Sequence, residues 1–570
     1  MTGTAGVLSQ TMQLGRRICR PVGPDLLCAI GVLILTGMAV AVVSGTWATF
    51  TATYDEPFHI ACGMQWIDKG AYTRQMQHPP LARVAVALGP YLQGARSFSL
   101  PNTTDEGNAI LYSQGSYWST LAFARAGNLI FLVQACVVVF LWARRWFSKA
   151  TGVWAVLLFV CLPPILGHAG LATLDMACAA TVATALYQFL RFLENPVWRR
   201  SIFLGASVAL AFLCKFSSIP FLAVCFGSAL VYRALASRGE STGKLRFGRL
   251  PVQFAIVASV ALFLCWGGYR FSVTKPSAIR NVTPHVDRLL AHRPVLLSMA
   301  HKALEIPLPL TELVSGLGGV QYHNELGHDS YLLGKYSTAG WWYFFPVAVG
   351  VKTPIGFLIL AGCGLLAVVR GFRSSPWQHG LTAIFPVAIM LVCMSSSINL
   401  GVRHILPIYP MLAVIGGYGI SALLLLAKRR WRPIAVVPIL LVFWIVADSW
   451  AARPDYLAYF NQFAGTHPES VLCESDLDWG QDLRRLSQRL KDLRVEHVSI
   501  KYFGTAPLER AELPPFSVLS PDVPVVRGYV AISAHHLYLD YAKDGSFGWL
   551  KRYTPLERVG KSIYLYDLGR

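Results

Sequence analysis

Residues Leu26–Trp47 read LLCAIGVLILTGMAVAVVSGTW and contain no charged side chain. A run of this length is sufficient for a transmembrane helix, because the hydrocarbon core of a bilayer needs about 20 helical residues. Two acids follow it, in the sequence Tyr54-Asp55-Glu56-Pro57-Phe58-His59. Carboxylates beside lipid are costly unless water, a partner or a chemical task accounts for them. The stretch therefore predicts a membrane protein with a functional site at the membrane surface.

Apolar runs of similar length recur along the whole chain. It has 570 residues, of which 54% are hydrophobic and 14% charged, against about 25% charged in soluble proteins. The first run is longer than the core of a signal peptide, so we expect it to be retained. The predicted fold is a polytopic α-helical membrane protein with about eleven transmembrane helices, at 26–46, 119–142, 152–167, 174–193, 201–214, 217–233, 250–270, 342–369, 380–397, 405–427 and 433–450.

The charge distribution predicts the orientation of these helices. The net charge is +20, from 50 basic and 30 acidic residues. With the N-terminus inside, the basic residues gather on the cytoplasmic face, as the positive-inside rule requires. They are Arg16, Arg17, Arg20, Arg144, Arg145, Lys149, Arg191, Arg199, Arg200, Arg233, Arg238, Lys244, Arg246, Arg249, Arg370, Arg373, Lys428, Arg429, Arg430 and Arg432. The excess thus orients the protein and implies no nucleic-acid partner.

This orientation divides the chain into two predicted domains. Residues 1–450 form a transmembrane domain with two long extracytoplasmic loops, at about 47–118 and 271–341. Residues 451–570 form an extracytoplasmic α/β domain, called the tail below. It has predicted strands at 470–473, 498–503, 525–533 and 562–568 and an amphipathic helix at 480–493. Such a βαβ arrangement places loops at the strand ends, where ligands bind.

The first long loop is expected to be structured. Pro57 and the pair Pro79-Pro80 each suit the first turn of a helix, and both following segments have an apolar bias. Helices of this kind lie in the membrane interface. Of the twelve cysteines, Cys62 and Cys473 are outside the apolar runs and are predicted to be unpaired. The chain contains no CxxC pair with metal-ligand spacing.

Three acids are candidate catalytic residues. Asp55 is placed to act as a general base toward an acceptor hydroxyl, with Glu56 in support. Asp175 opens the fourth apolar run and returns an acid to the same face. Helix capping is an alternative for all three, since an acid at a helix start satisfies free amides and the dipole. A shared divalent metal is a further possibility, although a third ligand is not readable from the spacing.

Basic and imidazole side chains on that face are candidate substrate ligands. Arg403 offers a guanidinium fork suited to a phosphate. Its neighbour His404, together with Lys215, Lys352 and His78, is expected to face the same cavity. For the two lysines, snorkelling to the interface is the alternative, and for His78 a surface turn.

Two further candidate ligands lie in the soluble segments. His323, in the second long loop, is a candidate for a sugar or metal contact. In the tail, Asp476 and Trp479 are expected to meet a ligand at a strand end, and a capping box between Asp478 and Gln481 is expected to start the helix that follows.

These residues together resemble the GT-C glycosyltransferases of family 39, which include the protein O-mannosyltransferases and the aminoarabinose transferases of lipid A. The motifs lie in order over residues 20–450: Asp55-Glu56, His78-Pro79-Pro80-Leu81, Asp175-Met176, Lys215-Phe216, Trp342-Tyr343-Phe344 through Lys352-Thr353-Pro354, and Gly401-Val402-Arg403-His404 through Pro407. In the aminoarabinose transferases a lysine occupies the position that His78 occupies in this chain, so the resemblance does not imply aminoarabinose as the sugar. The second long loop is too short for the β-trefoil insertion of many protein mannosyltransferases.

The resemblance implies an inverting transfer of a sugar from a polyprenyl-phosphate donor to a glycan, lipid or protein acceptor. Asp55 corresponds to the family's catalytic acid, and Arg403 and Lys352 to its phosphate ligands. The expected location is the bacterial inner membrane. Two alternatives stay open: a flippase or transporter of lipid-linked sugars, which needs ionisable groups at the bilayer midplane, and a membrane sensor whose tail binds glycans.

Overall fold

The computed structural model describes residues 23–236, 250–278, 282–371, 376–430, 432–521 and 527–569. All eleven predicted apolar runs are helical in it. The first half of the chain contains α1 (Pro24–Ser44), α2 (Glu56–Met64), α3 (Pro80–Leu92), α4 (Thr103–Tyr112), α5 (Tyr117–Ala126), α6 (Leu129–Trp146), α7 (Lys149–Val160), α8 (Pro163–Ala169), α9 (Asp175–Glu194), α10 (Trp198–Cys214), α11 (Ser218–Ala236) and α12 (Leu250–Gly268).

The second half begins with the helices of the second long loop and ends with those of the tail. They are α13 (Val282–Leu290), α14 (Pro294–Leu304), α15 (Thr311–Leu326), α16 (Phe344–Lys352), α17 (Ile355–Arg370), α18 (Trp377–Met394), α19 (Tyr409–Arg429), α20 (Val436–Ala451), α21 (Leu483–Asp492) and α22 (Tyr541–Asp544). A 3₁₀ segment, Val402–Ile408, leads directly into α19.

The membrane spans agree with the predicted polytopic fold. Among the described residues, eight helical segments are long and apolar enough to cross a bilayer. Two further pairs, α7 with α8 and α16 with α17, are bent by 67° and 113°, so the total is ten if each pair is one span. The remaining predicted run forms α10, which has 17 residues. The predicted fold class, a polytopic helical membrane protein with a small sheet near its C-terminus, is confirmed.

Basic side chains cluster at one end of this helix bundle. Arg145 and Arg200 lie 2.5 and 3.7 Å from Glu194 at the end of α9. Asp175 is at the opposite end of the same helix, about 28 Å away at 1.5 Å per residue. The arrangement fits the predicted charge asymmetry, although the orientation itself stays a prediction. Several residues of that pattern lie outside the described residues: Arg16, Arg17, Arg20, Arg238, Lys244, Arg246, Arg249 and Arg373.

Both long loops contain regular structure. In the first, α2 and α3 begin at or beside the predicted prolines, so those two helices are confirmed. They pack through Gly63, where an added Cβ would lie 2.0 Å from the carbonyl oxygen of Arg83. The second loop adds two antiparallel strand pairs to its three helices: β1 (Val273–Thr274) with β2 (Leu308–Pro309), and β3 (Ser330–Leu332) with β4 (Lys335–Ser337).

The tail contains a five-stranded mixed sheet. Its strands are β5 (Val498–Lys501), β6 (Phe516–Val518), β7 (Tyr529–Ser533), β8 (Glu557–Val559) and β9 (Ile563–Asp567), in the order β6-β5-β7-β9-β8. The pairs β5–β6 and β5–β7 are parallel, whereas β7–β9 and β8–β9 are antiparallel. Three predicted strands are confirmed by β5, β7 and β9, apart from residues 525–526, which lie outside the described residues.

Two local predictions for the tail are wrong. Residues 470–473 form no strand, because Leu472 and Cys473 are buried in two different hydrophobic clusters and a turn carries the chain between them. The capping box is also absent, since α21 begins only at Leu483. Asp478 instead accepts hydrogen bonds from the amides of Gly480 and His535, at 3.2 and 3.0 Å.

The tail is bonded to the membrane part through its segment 474–481. The amide of Tyr54 donates to the carbonyl of Trp479 at 2.9 Å, and that of Thr51 to the carbonyl of Gln481 at 3.0 Å. On its other side, Asp476 accepts a hydrogen bond from the amide of Val402 at 3.0 Å. This segment therefore lies between the first long loop and the 3₁₀ turn at Val402–Ile408.

Candidate active site

A cavity of about 740 Å³ opens where the two long loops, the membrane helices and the tail meet. Its wall carries both charged and apolar side chains, and the apolar ones come mostly from the membrane helices and the turns that join them. The apolar lining includes Leu174, Phe216, Ile219, Pro220, Phe221, Phe345 and Val392. The polar lining includes Asp55, His59, His78, Asp175, Lys215, His323, Asn324, Asp329, Arg403, His404, Glu474 and His535.

Asp55 and Arg403 form an ion pair in the polar wall. The Nη1 of Arg403 donates to Oδ2 of Asp55 at 2.7 Å. The other oxygen, Oδ1, has no hydrogen-bond partner within the described part of the chain, and the Asp55 side chain is 30% exposed. The Arg403 guanidinium also lies 4.3 Å from the ring centroid of Trp479. A carboxylate oxygen and a guanidinium thus face one polar space.

The main chain fixes where Asp55 points. Because the amide of Tyr54 is bonded to the carbonyl of Trp479, the residue before Asp55 is attached to the tail. Tyr54 also stacks on Phe503 with ring centroids 5.2 Å apart, and Phe503 stacks on His535 at 3.6 Å. The tail therefore positions the candidate base as well as lining the cavity.

Glu56 is directed away from the cavity, although it is adjacent to Asp55 in sequence. It is fully buried and paired with Arg125, whose Nε and Nη2 donate to it at 2.8 and 2.9 Å. It also accepts from the amides of Thr53 and Ala172, each at 2.7 Å. The carboxylate therefore links the first loop to the start of α9 and contacts no space open to a substrate.

Neither acid caps α2 through its side chain. Asp55 occupies the N-cap position without a side-chain hydrogen bond to the helix, and Glu56 bonds backwards to Thr53. Asp175 is the first residue of α9 and therefore lies in the first turn, where its charge suits the helix dipole. Its Oδ1 accepts a hydrogen bond from Nζ of Lys215 at 2.6 Å, and both residues are buried in the cavity wall.

Two imidazoles adjoin the Asp55–Arg403 pair. His59, one turn after Asp55 in α2, lies edge-on to His78 with a centroid distance of 5.8 Å. Its Nδ1 accepts from Nε of Arg83 at 3.3 Å, which leaves Nε2 as the protonated nitrogen. Burial and the charge of Arg83 lower the pKa of His59 to about 3 and that of His78 well below its usual value. Both rings are therefore neutral polar groups at physiological pH.

Lys352 and Asp476 are not among the residues that line the cavity. The ammonium of Lys352 is buried and donates to the carbonyls of Leu457 and Asp476 at 2.8 and 2.6 Å. The side chain of Asp476 is occupied by the amide of Val402. These positions do not favour the predicted ligand roles. Both residues instead fasten the tail to the membrane part.

Sequence reasoning identified eight of the lining residues and missed several others. Asp55, Asp175, His78, Lys215, His323, Arg403, His404 and Trp479 all line the cavity. Those it missed include His59, Glu474, Phe503 and His535. The signal for His59 was its position one helical turn after Asp55. No local pattern marks the other three, because only the docking of the tail brings them to the cavity.

No group of three His, Cys, Asp or Glu side chains within the described ranges is arranged to hold a metal ion. Cys62 and Cys473 are both free and buried, as are most of the other described cysteines.

The fold and the cavity define a class of protein: a polytopic membrane protein with a cavity lined by both charged and apolar side chains. Residues 119–266 of the chain match the family described as dolichyl-phosphate-mannose-protein mannosyltransferase. This match confirms the resemblance to the GT-C glycosyltransferases that the motifs indicate. No curated protein matches the chain at a significant level.

Two solved structures are similar over most of the chain. ArnT from Cupriavidus metallidurans bound to undecaprenyl phosphate is 14% identical, covers 94% of this chain and 97% of its own, and has a TM-score of 0.46. The second is the oligosaccharyltransferase AglB from Archaeoglobus fulgidus in complex with an inhibitory peptide and a dolichol-phosphate. It is 12% identical, the match covers 94% of this chain and 74% of the AglB chain, and the TM-score is 0.48.

Proposed function

We propose that this protein transfers a sugar from a polyprenyl-phosphate donor to an acceptor hydroxyl, with inversion at the anomeric carbon. The observation that carries the proposal is the Asp55–Arg403 pair in the wall of a cavity that is also lined by apolar side chains of the membrane helices. A polyprenyl phosphate is an amphiphile, with one anionic group and a long hydrocarbon chain. The charged side chains of the cavity suit the phosphate, and Phe216, Ile219 and Phe221 suit the hydrocarbon.

In this reaction Arg403 holds the donor phosphate. The bond between the anomeric carbon and the phosphate oxygen breaks, and its electron pair leaves with the phosphate, which gains one negative charge. A fixed guanidinium close to that oxygen stabilises the developing charge. Lys215 supplies a second cation from the same wall, partly neutralised by Asp175. Lys352 has no part in this step, because its ammonium is bonded to two carbonyls.

Asp55 is the general base of the proposed mechanism. The acceptor hydroxyl loses its proton to the free oxygen of Asp55, and its oxygen attacks the anomeric carbon from the face opposite the phosphate. Proton transfer of this kind contributes about 10²–10⁴-fold to a rate. Asp175, paired with Lys215, is assigned to positioning. Glu56 is assigned to the support of the loop that carries Asp55.

The topology follows from the same proposal. Residues 1–450 form the membrane domain and 451–570 the tail, with the cavity on the extracytoplasmic face and the basic helix ends in the cytoplasm. We place the protein in the bacterial inner membrane. The acceptor is a glycan, lipid or protein hydroxyl, and the tail contributes to its site through Phe503 and His535.

The first experiment replaces Asp55 by Asn. Cells lacking the gene are complemented with the wild-type chain, the D55N variant or Glu496→Gln, which removes an exposed charge elsewhere. Mass spectrometry of lipid extracts and surface glycans should show that D55N restores protein in the membrane but not glycan transfer, and that donor lipid accumulates. Full restoration of the glycan by D55N would reject the mechanism.

The second experiment measures binding of decaprenyl phosphate to purified protein. Arg403→Ala removes a charge-assisted hydrogen bond worth about 1.5–3 kcal/mol, which corresponds to a loss of affinity of about 10–100-fold. Arg403→Lys keeps the charge without the fork and should lose less. Equal affinity of all three forms would exclude Arg403 as the phosphate ligand.

A further inference from the structure

Glu474 is an acid of the cavity wall that the proposed mechanism does not use. It comes from the tail and lines the same cavity as Asp55 and Arg403. Its Oε2 is buried and has no hydrogen-bond partner. Among the described residues, the other cavity acids all have basic partners: Asp55 has Arg403, Asp175 has Lys215 and Asp329 has Lys543. Glu474 forms no ion pair with any described residue.

The position of Glu474 is fixed by the turn that contains it. Its carbonyl accepts hydrogen bonds from the amides of Leu477 and Asp478, at 2.8 and 2.9 Å. The next residue, Ser475, donates from its hydroxyl to the carbonyl of Leu400, and Asp476 accepts from Val402. The turn is thus bonded to Leu400 and Val402, and Val402 immediately precedes Arg403. Glu474 is held beside the candidate phosphate ligand.

We propose that Glu474 enters the reaction as a neutral carboxylic acid and donates a hydrogen bond to an oxygen of the donor phosphate. The inference rests on the proposed function and names a further binding residue for it. A buried polar atom without a partner is costly, and a ligand that fills the cavity satisfies it. An ionised carboxylate would repel a phosphate, whereas a neutral acid offers it a hydrogen-bond donor.

The electrostatic surroundings support the neutral form. Burial is the main cause that raises the pKa of Glu474, to about 8, and Arg403 opposes it. Asp476, Asp55 and Asp329 add to the rise through their negative charges. The histidines of the same cavity, His59, His78, His323, His328, His404 and His535, contribute polar groups to its lining.

The proposed step balances without a further reactant. The proton of the acceptor hydroxyl goes to Asp55, and the leaving phosphate takes the electron pair of the broken bond to the anomeric carbon. Glu474 keeps its proton and shares it with a phosphate oxygen through the hydrogen bond. Its contribution is therefore to binding and to charge stabilisation, and it is lost when the carboxyl group ionises.

The test is the pH dependence of decaprenyl phosphate binding to the full-length protein in nanodiscs. With a pKa of about 8, the neutral fraction of Glu474 falls about tenfold between pH 7 and pH 9, and affinity falls in proportion to the competent fraction. Wild type and Glu496→Gln should show this fall. Glu474→Gln cannot ionise and keeps an N–H donor, so its affinity should stay level. The second ionisation of phosphate, near pH 6, is about nine-tenths complete at pH 7, and its small remaining change is common to all forms.

Glu474→Ala is the second variant and should bind about tenfold more weakly than wild type at pH 7. If it does not fold, Glu474→Gln, which has the same shape as the native residue, still decides the question. A fall in affinity of Glu474→Gln equal to that of wild type would overturn the inference while leaving the proposed function intact. If no form binds decaprenyl phosphate at either pH, the proposed function fails as well.

Discussion

Replacing the two adjacent acids by their amides is predicted to have different effects. Glu56→Gln should mainly destabilise the folded protein, and Asp55→Asn should mainly abolish sugar transfer. Glu56→Gln removes the charge that compensates Arg125 in a fully buried site. The amides of Thr53 and Ala172 donate to different oxygens of Glu56, so the NH2 group of a glutamine would place a donor against one of them. Asp55→Asn acts on a side chain that is 30% exposed and has one ionic partner.

The magnitudes differ because of this difference in burial. Breaking a buried ion pair by removing one partner costs about 3–5 kcal/mol, and the loss of the Asp55–Arg403 pair should cost less, because Asp55 is 30% exposed and can be hydrated. We therefore expect Glu56→Gln to lower the unfolding midpoint strongly and to reduce the yield of folded protein. Asp55→Asn should lower the unfolding midpoint less than Glu56→Gln does and should lose transfer activity.

The assay is unfolding in detergent followed by near-ultraviolet circular dichroism, with transfer measured on the same preparations. A double-mutant cycle with Arg125→Met supplies the control, because removing both charges should cost less than the sum of the single changes. A Glu56→Gln variant that unfolds like wild type but has lost transfer would refute the structural role of Glu56. That result would make Glu56 a candidate catalytic residue again.

Two further predictions concern packing. Lys352→Met removes two charge-assisted hydrogen bonds to tail carbonyls, which should cost about 3–6 kcal/mol. We expect faster proteolysis of the tail with retained decaprenyl phosphate binding, whereas lost binding without faster proteolysis would make Lys352 a phosphate ligand. Gly63→Ala would place a Cβ 2.0 Å from the carbonyl oxygen of Arg83, and overpacking of this kind costs about 1–3 kcal/mol. Gly318→Ala, at a helical position with nothing within 4 Å, is the matched control, and an equal yield of folded protein from both variants would contradict the packing argument.

The predictions from sequence succeeded where a local pattern has a physical cause of its own. Hydrophobic runs of bilayer length gave the helical fold, since the backbone must satisfy its hydrogen bonds inside lipid. The prolines at Pro57 and Pro79-Pro80 marked helix starts for a similarly local reason. The prediction of a strand at 470–473 was wrong. The apolar residues of this segment are buried in two separate hydrophobic clusters and do not pair in a sheet.

The sequence by itself determined that this is a polytopic membrane protein and that acids and cations gather at one end of its helices. Hydropathy and charge are properties of short segments, so they are readable without a fold. Only the tertiary structure separated Asp55 from Glu56, directing one carboxylate into the cavity and burying the other against Arg125. It also brought Glu474 to Arg403 and took Lys352 out of the cavity lining. Those outcomes depend on how the tail packs against the membrane part, through contacts between residues that are far apart in sequence.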